Sequence, residues 1–303
     1  MDIHKLSQRG IGDLQRSLER FENYNDGFIL PDTFLVVRLD AHRMGEWSSA
    51  YSDYPCGPAV TKALHDTARS LMTSTFRVLV AFVHGDEISL LIDPSESVNP
   101  MRRSKLISTV ASAAAAHFMK ASGQQALFEA RLSELPTAER VVEYFFWQRR
   151  YCFRNAITIA LRGSLIAQGY SAEDAEKHIH GVSEQARLSK LEQVGGGAKS
   201  IPHTTRRGAL FCWETLLRDG REHFRLASHA ALSDNDEEYL QFLSGVLGEA
   251  LGTSSSVSVP APAAEPRLAE QLPANTDPAP AEQKRPFRGN KKTNVSVFKV
   301  ATK

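Results

Sequence analysis

An α+β fold built on a βαββαβ unit is predicted for this 303-residue chain, and three observations predict it. The first is the stretch Phe76–Ile92, where two apolar runs, Val78–Val83 and Ile88–Ile92, flank the break His84-Gly85-Asp86-Glu87. Such a break between β-branched and aromatic runs reads as a tight hairpin. The second is Thr33-Phe-Leu-Val-Val-Arg-Leu-Asp40, a strand pattern ending in a carboxylate. The third is the order of the flanking segments. Strand, helix, strand, strand, helix, strand is the ferredoxin-like unit, with an antiparallel sheet and helices on one face.

Each element follows from its own residues. Ile11, Leu14, Leu18 and Phe21 recur at helical spacing, predicting an amphipathic N-terminal helix over 11–24. Pro31 precedes the first strand, and residues 41–58 lack any period and read as a covering loop. Val60, Leu64, Ala68, Leu71 and Met72 form the stripe of a helix over 59–75. Beyond the hairpin, Pro100 opens a helix over 101–121 whose small-residue centre, Val110 to His117, allows close approach to a sheet. Leu127–Leu132 supplies the fourth strand.

Pro136 starts a long helical region, 137–168, dense in aromatic and arginine residues, in which the stripe Tyr144–Trp147 is expected to pack into the core. Ser171-Ala-Glu-Asp174 is a capping-box variant that opens another helix. Gly195-Gly-Gly197 breaks the chain, Ala209–Trp213 forms a short strand, and Ser233-Asp-Asn-Asp236 caps a last helix to about Gly252. Seven of the 14 prolines fall in 253–303. That composition buries too little apolar surface to offset ordering entropy, so a disordered tail with a basic end is expected. The domain reading is therefore 1–135, 136–252 and 253–303.

Bulk properties exclude several classes. Lys+Arg 36 against Asp+Glu 35 leaves no global field for a nucleic acid, so any such contact comes from local patches. Three widely spaced cysteines make neither a disulfide framework nor a CxxC metal site. The polar N-terminus and the lack of a long apolar run lead us to expect a soluble cytoplasmic protein without membrane contact.

In the predicted topology the first and third strands are neighbours, which brings Asp40 to face Asp86. Two carboxylates on rigid strand ends suit hard cations such as Mg²⁺, which also take substrate phosphates as ligands. Gly-Asp alone is an ordinary turn former, so the second carboxylate carries this argument. Glu87 alternates to the other side of its strand unless the turn rotates it, and serves as a supporting acid. Arg102 and Lys105, three apart at a helix start, would offer cations to phosphate. Gly195-Gly-Gly-Ala-Lys-Ser200 lacks the glycine directly before lysine that a phosphate loop requires, and His178-x-His180 has no third zinc ligand nearby.

Taken in order, Val36–His42, His84–Ser89, Arg103-Ser-Lys105, Val110–Ser112, Ala116–Phe118, Phe128–Arg131, Tyr144–Trp147 and Arg154-Asn155 resemble the tRNA-His guanylyltransferase family over roughly 11–213. The resemblance implies a polymerase-type palm, two Mg²⁺ ions, and 3′→5′ addition of nucleotides to the 5′ end of tRNA, for 5′-end repair in some members. It implies GTP as the favoured nucleotide, ATP as a possible 5′ activator, and a homotetramer. By position, Asp40 and Asp86 match the metal-binding aspartates, and Ala41 the residue whose carbonyl completes the metal shell. Glu87 matches the acidic partner, His42, Arg43, Arg102 and Lys105 the nucleotide contacts, and Arg154, Asn155, Arg206 and Arg207 RNA contacts. Ala41 stands in place of a glycine, Gly85 of a serine and Glu129 of an aspartate, and Trp47–Pro58 lacks the family's Lys-Pro-x-Asp sequence. Two other readings are a non-catalytic RNA-binding relative and a palm-type cyclase acting on nucleotides alone.

Overall fold

The computed structural model describes residues 27–42, 44, 57–74, 76–93, 101–218, 221–230 and 232–252. The helix expected over 11–24, most of the loop 41–58 and the tail 253–303 lie outside them. Within them an antiparallel sheet is sandwiched between two sets of helices. The strands are β1 (Phe34–Ala41), β2 (Val78–His84), β3 (Glu87–Ile92), β4 (Phe128–Leu135), β5 (Ala209–Arg218) and β6 (Arg221–His229). The helices are α1 (Pro58–Thr73), α2 (Arg103–Ser122), α3 (Ala138–Ala167), α4 (Ala172–Ile179), α5 (Glu184–Gly195), α6 (His203–Arg207) and α7 (Asp236–Gly252).

The strand order is β4-β1-β3-β2-β5-β6, so the first and third strands lie side by side as expected. Alternation sorts their side chains. Leu35, Val37, Leu39 and Ala41 pack on one face with Leu64, Leu71, Val110 and Phe118 of α1 and α2. Val36, Val80, Phe82 and Leu91 pack on the other with Val141 and Phe145 of α3 and Leu243 of α7. β2 and β3 are buried along their whole length because both faces are covered.

Region 136–252, read from sequence as helical, also contributes two strands. β5 runs to Arg218, well beyond the short strand expected, and pairs with β2, while β6 closes a hairpin with β5. Its alternation is broken by charged residues such as Glu214, Arg218 and Arg221, which hid it from a hydrophobic-period reading. The single helix expected after Ser171 is two, separated near Gly181 and recapped by Ser183.

Candidate active site

The site lies where the β2–β3 hairpin meets the end of β1. The turn is the two residues Gly85-Asp86, the tight hairpin expected. His84 and Glu87 are already paired strand residues, and Gly85 has φ +52°. Glycine at the first central position of a two-residue hairpin supplies the left-handed conformation that matches strand twist. The Ala41 N–H donates to the Asp86 carbonyl at 3.1 Å, and Asp40 stands directly across from Glu87. Asp40, Asp86 and Glu87 are thus stitched to one end of the sheet.

Glu87 corrects the expectation from simple alternation. It is the first residue of β3 rather than part of the turn, and as the cross-strand partner of Asp40 it shares that residue's face, the face beneath α3. Its neighbours are His84, with Nε2 at 3.4 Å, and Arg38, with Nη1 at 3.8 Å. His84 Nε2 also donates to Gln148 Oε1 at 2.8 Å, which fixes a proton on that nitrogen because an amide oxygen only accepts.

The three acids differ electrostatically. Burial first, then the Glu87 and Glu129 carboxylates, push Asp40 above the usual carboxylate range. Burial, then the charge of Asp40, pushes Asp86 upward as well. Burial also raises Glu87, but His84, Arg38 and Arg131 outweigh it and hold Glu87 below its ordinary value. The cations near Glu87 outweigh its burial, whereas for Asp40 and Asp86 burial and neighbouring carboxylates outweigh what Arg131, Arg38 and His84 offset. That is the donor set a divalent ion would satisfy. Among the described residues no three His, Cys, Asp or Glu side chains form a ready-made metal cage. An ion held by two carboxylates, with phosphates and water as remaining ligands, needs none.

A cavity of about 190 Å³ opens beside the acids, lined by Asp86, Glu87, Cys152, Asn155, Ile159 and Thr205 among others. It shares Ala156, Ile159 and Thr205 with a larger cavity of about 690 Å³ that reaches Lys62, His65 and Ser200. Asn155 therefore sits where a ligand of the acids would be. Cys152 is no nucleophile, since burial pushes its thiol up to about 12 and its Sγ donates to the Thr205 carbonyl.

The remaining expected residues divide. Ala41 is buried at the hairpin, and His42 is exposed beside it with Nδ1 3.2 Å from Glu129. Arg43 lies outside the described residues. Arg154 is exposed on α3 with its guanidinium 5.2 Å from the Tyr151 ring. Arg102 and Lys105 are not brought to the acids. β3 runs away from the Asp86 turn, so α2 begins at the far end of the sheet, where Arg103 pairs with Glu134 beside the start of β1. Six strand residues separate that end from Asp40, about 20 Å. Arg206 and Arg207 are turned inward rather than toward a polymer. Both pair with Asp234, and Arg207 lies 4.4 Å over the Phe153 ring.

Sequence reasoning missed Arg38, His84, Gln148 and Arg131. Arg38 was within reach, because it lies two residues before Asp40 and so on its face. His84 and Gln148 are 64 positions apart, and only packing joins them.

Residues 15–144 match the family described as "Thg1: tRNAHis guanylyltransferase". The tRNA(His) guanylyltransferase of Debaryomyces hansenii is 28% identical over 177 residues, 54% of this chain and 66% of that protein. That of Neurospora crassa is 26% identical over 153 residues, 46% of this chain and 52% of its own length. The chain thus spans between half and two thirds of these relatives. A solved bacterial tRNA(His) guanylyltransferase (Thg1)-like protein in complex with ATP has the same fold, with a TM-score of 0.57 at 20% identity over 77% of this chain and 99% of that one. Over residues 15–144, which carry the paired aspartates, this chain is similar to the tRNA-His guanylyltransferase family.

Proposed function

We propose that this protein is a Mg²⁺-dependent nucleotidyltransferase that extends the 5′ end of tRNA, or of a related RNA, in the 3′→5′ direction. One observation carries the reading: Asp40 and Asp86 are brought to one sheet end, where burial and neighbouring carboxylates push both upward, while the cations beside Glu87 hold it down. The βαββαβ unit within 1–135 is read as a polymerase-type palm, on which 136–252 packs. Asp40 and Asp86, with the Ala41 carbonyl, would hold two Mg²⁺ ions. Such ions polarise phosphoryl oxygens and activate an attacking hydroxyl.

The chain's own residues do the rest. Glu87, kept anionic by His84 and Arg38, holds the end of β3 against β1 and so fixes the spacing of the aspartates. Arg131, on the Asp40 face of β4, brings positive charge toward phosphate. The cavity at Asn155 and Thr205 receives the incoming nucleotide, GTP preferred, whose 3′-hydroxyl attacks the 5′ α-phosphorus of the RNA, expelling pyrophosphate from a triphosphorylated end or AMP from an adenylylated one. ATP serves as activator where the end is a monophosphate. A homotetramer in the cytoplasm completes the proposal. Among the described residues no helix is long and apolar enough to cross a membrane.

The test is incorporation of labelled nucleotide into tRNAs with intact and shortened 5′ ends. Asp40→Asn and Asp86→Asn should each lower the rate on the order of 10³-fold, the loss of several kcal/mol of charge stabilisation. Undiminished incorporation by both variants would remove the site assignment. Product formed from nucleotides alone would favour a cyclase-like reaction.

A further inference from the structure

The aromatic stripe on α3 does not pack as its sequence suggests. Phe145 is fully buried, but Trp147 is 47% exposed. Its ring is nonetheless held on several sides. The Tyr144 ring meets it edge-on at 5.6 Å, the Tyr151 ring lies 6.0 Å away at 34°, and the Arg38 guanidinium is 5.6 Å from its centroid. Tyr151 is in turn held by the His84 ring at 6.0 Å and the Arg154 guanidinium at 5.2 Å. An exposed tryptophan fixed by its neighbours loses little freedom when something stacks on it.

The location gives this platform a meaning. Arg38 touches both Trp147 and Glu87, and His84 touches both Tyr151 and Glu87. Each aromatic ring is thus one side chain away from the acids. Positive charge surrounds it. Arg131 and Arg154 are exposed, and Arg154 has no carboxylate partner among the described residues. Apolar rings bordered by arginines complement a nucleobase bordered by phosphates.

We propose that Trp147 and Tyr151 form a stacking platform for the terminal base of the RNA 5′ end being extended, with Arg154 on its backbone. This rests on the function proposed above. Two substrates must meet at the acids, and the surface offers two unlike places for them. The recess lined by Asn155, Ile159 and Thr205 is walled and continuous with the larger cavity, which suits a free nucleotide. The platform is open, which a terminus still attached to a folded RNA requires. Stacking is tolerant of base identity, so the platform accepts an end whose sequence changes as it grows.

The test measures equilibrium binding of a 5′-truncated tRNA in EDTA, and separately of nucleotide with Mg²⁺, for the full chain and for Trp147→Ala, Trp147→Phe and Tyr151→Ala. Trp147→Ala should weaken RNA binding about 5- to 100-fold and leave nucleotide affinity unchanged. Trp147→Phe should restore most of the RNA affinity, and the tryptophan quenching that accompanies RNA binding should vanish in Trp147→Ala. Circular dichroism checks folding, and Tyr151→Ala carries the test if Trp147→Ala does not fold. Unchanged RNA affinity overturns the platform. Loss of nucleotide affinity with RNA binding intact assigns the rings to the incoming base and also overturns it. So does a change of mass in sedimentation with RNA affinity kept, which would mean that a second copy covers the rings. If the parent chain extends tRNA while Trp147→Ala binds RNA normally, the platform alone fails. If the parent neither binds nor extends any tRNA, the proposed function fails first.

Discussion

Asp40 and Asp86 illustrate how carboxylates drawn together by a fold cost it stability. Both carboxylates have their pKa raised in the folded chain, first by burial and then by neighbouring carboxylates, Glu87 and Glu129 for Asp40 and Asp40 for Asp86. The folded state therefore holds protons that the unfolded state has already released. Stability falls as pH rises from the ordinary carboxylate value of 3.8 into the raised range. Asp86→Asn removes that penalty. In EDTA at pH 7 this variant should melt above the parent, and the difference should shrink as the pH falls toward 3.8. A variant that melts lower at pH 7 would mean that the Asp86 charge is compensated after all. Glu87 has the opposite sign, so its substitution should not stabilise.

At the scale of elements, the short helix α6 is fixed by two local features. Gly208 ends it with φ +74° and ψ −173°, a region open essentially to glycine. An added Cβ would also collide with the Phe82 ring and come within 2.9 Å of the Val83 carbonyl oxygen. Gly208→Ala should therefore cost at least about 2 kcal/mol in a denaturant melt. Asp234 is the second feature. Hydrogen bonding from Arg206 comes first among the causes that hold its carboxyl down to about 2. It ties α6 to the start of α7, where Arg149 donates to the Ser233 carbonyl at 2.5 Å and lies 4.1 Å over the Tyr239 ring. The Asp234 contribution is present above pH 3.8 and lost as pH falls through 3.8 toward 2. Half the side chain faces solvent, so Asp234→Ala should cost only about 1 kcal/mol at pH 7.

For the molecule as a whole, the acids and the cavity beside them join parts distant in sequence, so a ligand there should stabilise the entire fold. β1 supplies Asp40, the β2–β3 turn supplies Asp86, and α3 and α6 supply Asn155 and Thr205. Nucleotide with Mg²⁺ at 100 times its dissociation constant adds about 2.7 kcal/mol, or roughly 5–10 °C in Tm for a domain of this size. Asp40→Asn combined with Asp86→Asn should abolish that shift. An equal shift in the double variant would place the nucleotide elsewhere.

The sequence alone settled β1 to β4, because their apolar runs are punctuated by proline and glycine and because a βαββαβ order leaves few ways to pair. It therefore also brought Asp40 and Asp86 to the same end of the sheet. Tertiary structure decided what local pattern cannot encode. The direction of β3 carries Arg102 and Lys105 to the far end of the sheet, Asp234 draws Arg206 and Arg207 inward, and α3 docks so that Phe145 is buried and Trp147 is left in view. Strand pairing follows from short-range hydrophobic period, whereas the outlook of a long polar or aromatic side chain depends on which element happens to lie across from it.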